Sequence, residues 1–284
     1  MGFVLNWADH VLDLRQRTHV MGILNVTPDS FSDGGRYFGL DKAVKRGLDM
    51  AREGADIIDV GGESSRPYAQ RISKAEEINR IVPVIEALHK ELSIPISIDT
   101  VRSAVAHEAI KAGASIINDI SALRSDSNMA HLAAEAGVPI ILMHMKGSPR
   151  DMQDDPAYEY LVSEILHFLK NAVDLALSAG IREDLIILDP GIGFGKTFDH
   201  NLRIIRDLHR FDSLQRPMLL GTSNKAFIGH ILAKDADERD TGSMAAIAAS
   251  VMKGAHIVRV HNVKKAVETV KMIDAIKRGS VDSV

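Results

Sequence analysis

The stretch IPISIDTVRSAVAHEAIKAGASIIND, residues 94–119, carries the pattern that decides the fold. Its first apolar run, residues 94–98, leads into Asp99, and a second run, residues 115–117, leads into Asn118. Runs this short, rich in β-branched residues and without regular polar alternation, are typical of parallel strands buried on both faces.

The same alternation continues along the chain in both directions. Six further apolar runs occupy residues 20–24, 57–60, 138–143, 185–188, 217–220 and 256–260. Between the runs lie helical patterns, such as residues 75–92 and 158–179, in which apolar residues recur at spacings of three and four. Glycines typical of helix C-termini precede the strands at Gly54, Gly113, Gly137, Gly180 and Gly254.

Eight strands that alternate with helices predict an α/β fold, a single (β/α)8 TIM barrel. The sequence separation between Asn25 in the first strand and Arg259 in the eighth, divided over seven intervals, is about 33 residues per repeat. A doubly wound sheet is the alternative, but it usually has fewer strands and a glycine-rich nucleotide turn. We expect residues 1–17 to form a short N-terminal cap across the barrel bottom and residues 18–284 to form the barrel.

Composition excludes several classes of protein. The 284 residues contain no cysteine, which excludes disulfides, thiolate metal sites and a cysteine nucleophile. With 34 basic and 38 acidic side chains, the net charge of -4 argues against a general nucleic-acid binder but allows a local basic pocket. The sequence starts with no secretory signal pattern, and its uncharged stretches fall short of the ~20 residues that span a bilayer. We expect a cytoplasmic protein that acts without nucleic acid or membrane.

Polar side chains end or directly follow all eight apolar runs. They are Asn25, Asp59, Asp99, Asn118, His144, Asp189, Thr222 with Ser223, and Arg259 with His261. One polar strand end means little, because loops begin with polar residues anyway. Eight in register are typical of barrel enzymes, whose chemistry lies where the carboxyl ends of the strands converge.

Two other motifs do not support a function of their own. Residues 191–197, GIGFGKT, end like a phosphate-binding loop, but the first glycine of that motif falls on Pro190. We interpret this segment as a tight loop after the sixth barrel strand. The twelve histidines form no His-Glu-x-x-His pair, and we expect His144 to be packed rather than a metal ligand.

Two longer segments resemble a known family. Residues 21–35, MGILNVTPDSFSDGG, join a strand to a loop rich in Pro, Asp, Ser and Gly, and they resemble the first signature of the dihydropteroate synthases. Residues 56–67, DIIDVGGESSRP, resemble the second signature. Further blocks follow at residues 97–100, 116–119, 142–145, 188–196, 221–225 and 258–261, so the resemblance covers essentially residues 18–278.

The resemblance implies a TIM-barrel transferase, usually a homodimer and dependent on Mg²⁺. Such enzymes join the amine of p-aminobenzoate to the methylene of 6-hydroxymethyl-7,8-dihydropterin pyrophosphate, giving 7,8-dihydropteroate and pyrophosphate. Because the electron-rich dihydropterin stabilises a cation at its methylene, we expect a dissociative, SN1-like displacement.

The resemblance also implies the roles of individual residues. Pterin recognition falls to Asp99, Asn118, Asp189, Lys225 and Arg259. The residues that the resemblance assigns to pyrophosphate binding are Asn25, Arg259 and His261, and Asn25 also contacts Mg²⁺. The residues expected at p-aminobenzoate are Phe31, Ser65, Arg66, Pro67, Phe194 and Ser223, with Ser223 as the N-cap of a helix over residues 225–232. Asp33, on the first loop, joins Asn25, Lys225 and Arg259 as a catalytic residue.

The chain departs from the family pattern at three positions. Asn224 stands where the family often has Arg, Asn262 where it often has Asp, and Ser65 where Thr is commoner. We expect Asn224 to alter affinity rather than to abolish activity, because Lys225 beside it is intact.

Two alternative functions stay open. A methyltetrahydrofolate:corrinoid methyltransferase would need neither the loop over residues 27–35 nor the pair of Arg259 and His261. A non-catalytic pterin-binding paralogue would fit Asn224 best, but the retained Asn25 and Lys225 argue against it. Release of pyrophosphate that depends on p-aminobenzoate would separate all three.

Overall fold

The computed structural model describes residues 2–27, 36–64, 71–148, 151–154 and 156–281, with the backbone alone at residues 36–38. Within these ranges the strands are β1 Val4–Trp7, β2 His10–Asp13, β3 His19–Asn25, β4 Ile57–Gly61, β5 Ile96–Asp99, β6 Ile116–Asp119, β7 Ile140–Met143, β8 Ile186–Asp189, β9 Leu219–Leu220 and β10 Ile257–Val260. The α-helices are α1 Arg36–Arg52, α2 Lys74–Glu91, α3 Ser103–Lys111, α4 Met129–Ala136, α5 Leu161–Ser178, α6 Phe198–Arg206, α7 Ala226–Leu232, α8 Asp240–Met252 and α9 Val263–Arg278.

Strands β3 to β10 form one parallel sheet that follows the order of the chain. β3 pairs with β4 on one side and with β10 on the other, so the first and last barrel strands are neighbours. The remaining seam, between β8 and β9, is bridged at Leu188 and Met218. The predicted (β/α)8 barrel is confirmed, and every barrel strand starts and ends within two residues of its predicted bounds.

Burial explains why the barrel strands have so few polar residues. Every residue of β4, β6, β7 and β8 is buried, since one face of each strand points into the barrel and the other packs under helices. Burial of each large aliphatic side chain contributes about 1.5–3 kcal/mol. The polar residues of β6 and β8 lie at the carboxyl ends of these strands, and Asp59 lies inside β4.

Glycines end the helices and turn the chain back into the barrel. The five glycines predicted before strands all have positive φ angles, from 64° at Gly137 to 114° at Gly113. This left-handed backbone region costs glycine little, because glycine has no Cβ. Each helix therefore stops abruptly, and the next strand starts at the amino end of the barrel.

The N-terminal residues form an antiparallel hairpin of β1 and β2 at the amino end of the barrel. Leu5 and Trp7 are buried there, and the Arg182 guanidinium, which precedes β8, donates to the Asn6 carbonyl at 3.2 Å. A domain boundary between residues 17 and 18 stays a prediction. In the part of the chain that the structure describes, no helix has the length and apolar character needed to cross a bilayer.

Candidate active site

The polar residues predicted at the rim lie at the carboxyl ends of the barrel strands. Asp59 is in β4, Asp99 ends β5, Asn118 is in β6, Asp189 ends β8 and Arg259 is in β10. The register of the sheet pairs Asp99 with Asn118 on neighbouring strands. Since parallel strands in a barrel all end on one face, the fold collects residues that are far apart in the sequence.

Arg259 bridges two carboxylates of this rim. Its Nε donates to Asp59 Oδ2 at 2.6 Å, and its Nη2 donates to Asp99 Oδ2 at 2.7 Å. The Arg259 side chain is 19% exposed and that of Asp59 is fully buried, so both charge-assisted hydrogen bonds operate away from bulk water. Burial lowers the pKa of Arg259, but the two carboxylates outweigh burial and the net shift is upward.

Asp59 has a structural importance that the sequence analysis did not assign to it. Besides Arg259, its Oδ2 accepts a hydrogen bond from Asn118 Nδ2 at 3.1 Å. Its Oδ1 is buried and has no hydrogen-bond partner among the described residues. A carboxylate in such surroundings is tolerated only with a compensating charge, which Arg259 supplies. The available signal was an aspartate inside an otherwise apolar strand.

The loop after β8 brings Asp189, Phe194 and Lys225 together. Asp189 Oδ1 accepts from the Gly191 amide at 2.6 Å. Gly191 has a φ of 72°, and a Cβ there would lie 2.0 Å from the His144 carbonyl oxygen, so the turn requires glycine. Lys225 Nζ lies 4.3 Å from the centroid of the Phe194 ring, in a cation–π contact.

Burial shifts the pKa values of this site toward neutrality. Burial raises the pKa of Asp189 to about 6, although the hydrogen bond from the Gly191 amide and the nearby cations lower it. Burial also raises the pKa of Asp99 to about 7, although the charge of Arg259 lowers it. Burial and then the charge of Arg259 lower the pKa of Lys225 to about 8, against the charges of Asp189 and Asp99. Such shifts are typical of functional sites. The rim therefore presents carboxylates and cations side by side, a combination that suits a ligand with both hydrogen-bond donors and negative charge.

The structure corrects the predicted position of Ser223 as a helix N-cap. α7 begins at Ala226 and its N-cap residue is Lys225, because Asn224, with a φ of 58°, turns the chain before the helix starts. Ser223 Oγ instead lies 3.0 Å from His261 Nδ1 and accepts from the His261 backbone amide at 3.3 Å. The Ser223 hydroxyl therefore contacts both the ring and the backbone of His261, and the tautomer of the imidazole decides which of the two side chains donates.

Asn25 ends β3 beside the same space as Asp99. A Cβ on Gly61 would lie 3.8 Å from Asn25 Oδ1 and 3.8 Å from Asp99 Oδ2, so the two oxygens flank this glycine. Within the described ranges, no group of three or more His, Asp or Glu side chains could hold a metal ion. Asn25 offers one amide oxygen there, and Mg²⁺ is usually bound through one or two protein ligands together with substrate phosphates and water.

Five predicted site residues lie outside the described residues. They are Phe31, Asp33, Ser65, Arg66 and Pro67. Their segments follow β3 and β4, whose carboxyl ends are part of the rim. Their roles stay predictions.

Two departures from the family pattern have local partners. Asn224 adopts the positive φ that asparagine tolerates better than most residues, and its Oδ1 accepts from Ser243 Oγ at 3.2 Å. Asn262 caps α9 by accepting from the Lys265 amide, and its Nδ2 donates to Asp240 Oδ2 at 2.8 Å. Their effect on ligand affinity stays a prediction.

A buried lysine beside the rim was not predicted at all. Lys196 is only 2% exposed, and its Nζ lies 2.9 Å from His144 Nδ1 and 2.9 Å from the Phe194 carbonyl oxygen. His144 is itself buried, as expected for a packed histidine. Residues 191–197 form the predicted loop. Its Gly-Lys pair resembles a phosphate-binding motif, in which the lysine faces a ligand, and no local pattern indicates that Lys196 is buried.

Comparisons with known proteins agree with this arrangement. The family model described as pterin binding enzyme matches residues 21–261. A dihydropteroate synthase of Bacillus subtilis is 48% identical over 279 residues, which are 98% of this chain and 95% of that protein.

Two solved structures are similar over almost their whole length. The Yersinia pestis dihydropteroate synthase in complex with a sulfonamide drug has a TM-score of 0.92 and 41% identity, covering 97% of this chain and 100% of that one. The Xanthomonas albilineans dihydropteroate synthase with 4-aminobenzoic acid has a TM-score of 0.91 and 40% identity, covering 98% of this chain and 99% of that one. The chain is therefore a transferase that belongs to the pterin-binding enzyme family of the dihydropteroate synthases.

Proposed function

We propose that this chain joins p-aminobenzoate to 6-hydroxymethyl-7,8-dihydropterin pyrophosphate, forming 7,8-dihydropteroate and releasing pyrophosphate. The observation that carries the proposal is Arg259 held between Asp59 and Asp99 on the rim, with Asp189 and Lys225 in the same electrostatic environment. The p-aminobenzoate named with the Xanthomonas enzyme supports the choice of amine.

The pterin edge is recognised by Asp99, Asn118 and Asp189. This edge alternates the donors of a 2-amino group and a ring N–H with the acceptor of a 4-oxo group, and carboxylates and amides match such a pattern. The bond from Asn118 to Asp59 fixes the orientation of its amide group. Because the three side chains are buried or nearly so, a ligand that left them unpaired would bind poorly.

The basic side of the site takes the 4-oxo group and the pyrophosphate. Lys225 donates to the carbonyl edge of the pterin. Arg259 stacks on the ring and contacts the phosphate, since a planar guanidinium can do both. His261 donates an imidazole N–H to a phosphate oxygen. Ser223 thereby acts by orienting His261, and its direct contact with p-aminobenzoate stays a prediction.

The residues present fit a Mg²⁺ ion that is held mainly by the substrate. Asn25 would supply one amide oxygen, and Mg²⁺ is often bound through one or two protein ligands together with phosphate oxygens and water. When bound, the ion would neutralise charge that develops on the leaving pyrophosphate.

Phe194 and Ser223 are the members of the proposed p-aminobenzoate site that lie among the described residues. The Phe194 ring offers an apolar surface for the arylamine, and Lys225 Nζ lies over that ring. Contacts from Phe31, Ser65, Arg66 and Pro67 would complete the enclosure.

The displacement proceeds by a dissociative, SN1-like path. Arg259 and His261 stabilise the departing pyrophosphate, while Asp99 and Asp189 offset positive charge on the dihydropterin as the C–O bond breaks. The neutral amine then forms the C–N bond and its surplus proton passes to solvent, so no protein nucleophile is needed. Asp33, in the first loop, is the further carboxylate predicted to stabilise the cation.

Pyrophosphate release with and without p-aminobenzoate tests the proposed reaction. We expect release in the presence of Mg²⁺ and the amine, in equal amounts with dihydropteroate. Pterin binding without release would favour the non-catalytic paralogue, and methyl transfer to a corrinoid would favour the other enzyme. Without the amine, positional isotope exchange in the bridging pyrophosphate oxygen tests the dissociative path, and its absence under reversible conditions would count against a free cation.

A homodimer is the proposed assembly, and a groove between α6, α7 and α8 is the proposed interface. Exposed apolar side chains line it, including Leu202, Ile231 and Leu232. Such a patch is typical of protein interfaces. Analytical ultracentrifugation should show a dimer, and Ile231→Asp should shift it toward monomer.

A further inference from the structure

Lys196 holds the loop between β8 and α6 from inside the protein. Besides its contacts with His144 Nδ1 and the Phe194 carbonyl, its Nζ approaches the His144 carbonyl oxygen at 3.4 Å. An ammonium group carries three protons and no lone pair, so these three acceptors match its donors. None of the three is a carboxylate, and burying a cation among neutral partners is costly.

His144 is in the state that this arrangement requires. The pKa of its imidazole is lowered to about 2, chiefly by burial and in addition by the charges of Lys196, Arg124 and Lys146. Its ring packs edge to face against Phe168 at 4.7 Å between centroids. The imidazole is therefore neutral, and its Nδ1 accepts a hydrogen bond from Lys196 Nζ.

The loop that Lys196 holds carries a residue of the proposed arylamine site. Phe194 belongs to a small buried cluster with Met143, Met145 and Met152, apart from the main core. Its carbonyl accepts from Lys196, and its ring faces Lys225 Nζ at 4.3 Å. Through its second hydrogen bond, to His144 Nδ1, Lys196 ties the loop to the residue that directly follows β7.

We propose that Lys196 is a positioning residue: its buried ammonium fixes the loop between β8 and α6 to His144 and thereby holds Phe194 in place for p-aminobenzoate. This inference rests on the proposed function. Lys196 touches neither substrate in the proposed site and acts through Phe194.

The charge of Lys196 also affects the pKa of Asp189. Burial raises the pKa of Asp189, and the Gly191 amide and the charges of Lys225, Lys196 and Arg259 lower it. Burial lowers the pKa of Lys196 to about 7, with the Lys225 charge in the same direction and the Asp189 charge against it, so Lys196 is charged over the pH range in which Asp189 titrates. Removing the Lys196 charge therefore raises the pKa of Asp189, and the carboxylate needed for the pterin donors is lost at a higher pH.

The test measures KM for each substrate, kcat and the pH profile in Lys196→Met, with the exposed Lys253→Met as the matched control for charge. We expect Lys196→Met to raise KM for p-aminobenzoate about tenfold or more, the effect of losing a hydrogen bond to a charged group. KM for the pterin substrate should change less at neutral pH, and the acid limb of kcat/KM should move to higher pH. Lys253→Met should match the unchanged protein.

Two His144 variants repeat the test if Lys196→Met does not fold. His144→Asn places an amide oxygen near the position of Nδ1, so this variant should retain most of the affinity for p-aminobenzoate. His144→Leu removes the acceptor and should lose that affinity. Equal KM values in His144→Leu and His144→Asn would overturn the proposal. An unchanged KM for p-aminobenzoate in Lys196→Met would also overturn it. So would a Lys196→Met enzyme whose only change is a kcat lowered in proportion to its unfolded fraction.

Direct binding separates this inference from the proposed function. Calorimetric titration of p-aminobenzoate needs no turnover, so weaker binding to Lys196→Met than to Lys253→Met supports the positioning role even if no pyrophosphate is released. Equal binding by the two variants contradicts it.

Discussion

Replacement of Asp59 by alanine tests whether this buried carboxylate organises the rim. Asp59 Oδ2 accepts from both Arg259 Nε and Asn118 Nδ2. Asp59→Ala leaves these two donors without their acceptor in a site that water does not reach easily. Arg259 keeps only its bond to Asp99, at 2.7 Å.

The magnitude follows from the two bonds. A hydrogen bond to a charged group contributes about 1.5–3 kcal/mol and a neutral one about 1 kcal/mol. Removing one partner of a buried pair costs about 3–5 kcal/mol in general, because a charge stays uncompensated. Since Asp99 still compensates Arg259, we expect Asp59→Ala to lower the free energy of unfolding by about 3 kcal/mol. We expect kcat/KM to fall about 100-fold, because the guanidinium loses its fixed plane.

Asp59→Asn is the matched control. It keeps the shape of the side chain and an oxygen that can accept from both donors, and it replaces the charged carboxylate by a neutral amide whose NH2 takes the place of Oδ1. We expect it to lose about 1 kcal/mol of stability. Urea unfolding gives the stability change, and pyrophosphate release gives kcat/KM. If Asp59→Ala and Asp59→Asn lose equal stability and activity, hydrogen bonding by Asp59 does not organise the rim, and the reasoning fails.

Three further predictions concern the same face of the barrel. Gly191→Ala should lower the melting temperature and pterin binding together, because its Cβ would lie 2.0 Å from the His144 carbonyl oxygen; unchanged melting would contradict the required turn. Pterin affinity should fall as pH drops through about 7 and then about 6, because Asp99 and then Asp189 are protonated below their raised pKa values; Asp189→Asn should remove the lower step and leave the upper one in a fluorescence titration, and an unchanged lower step would contradict the role of Asp189. Asn224→Arg should cost about 1 kcal/mol in urea unfolding, because arginine loses the bond to Ser243 and tolerates a φ of 58° less well; a more stable variant would refute this.

Much of the fold was predictable because it depends on periodic patterns. Buried parallel strands require continuous apolar runs, and the helices between them require apolar residues at spacings of three and four. Both signals are local and repeat eight times. The predicted barrel and its strand bounds were therefore confirmed, whereas the structural partner of Ser223 was not predicted correctly. A serine two residues before a helix pattern is typical of a cap, and only the backbone turn at Asn224 moved it away.

The sequence by itself determined the number of barrel units, the face on which the polar residues gather and the family. Only the tertiary structure decided which atoms meet there. Arg259 and Asp59 are 200 residues apart in the chain, and Lys196 and His144 are 52 apart. No local pattern encodes such pairs, because closure of the barrel sets which strand ends face each other. The burial of Lys196 and the shared acceptor at Asp59 depend on that closure, and the chemistry of the rim depends on them.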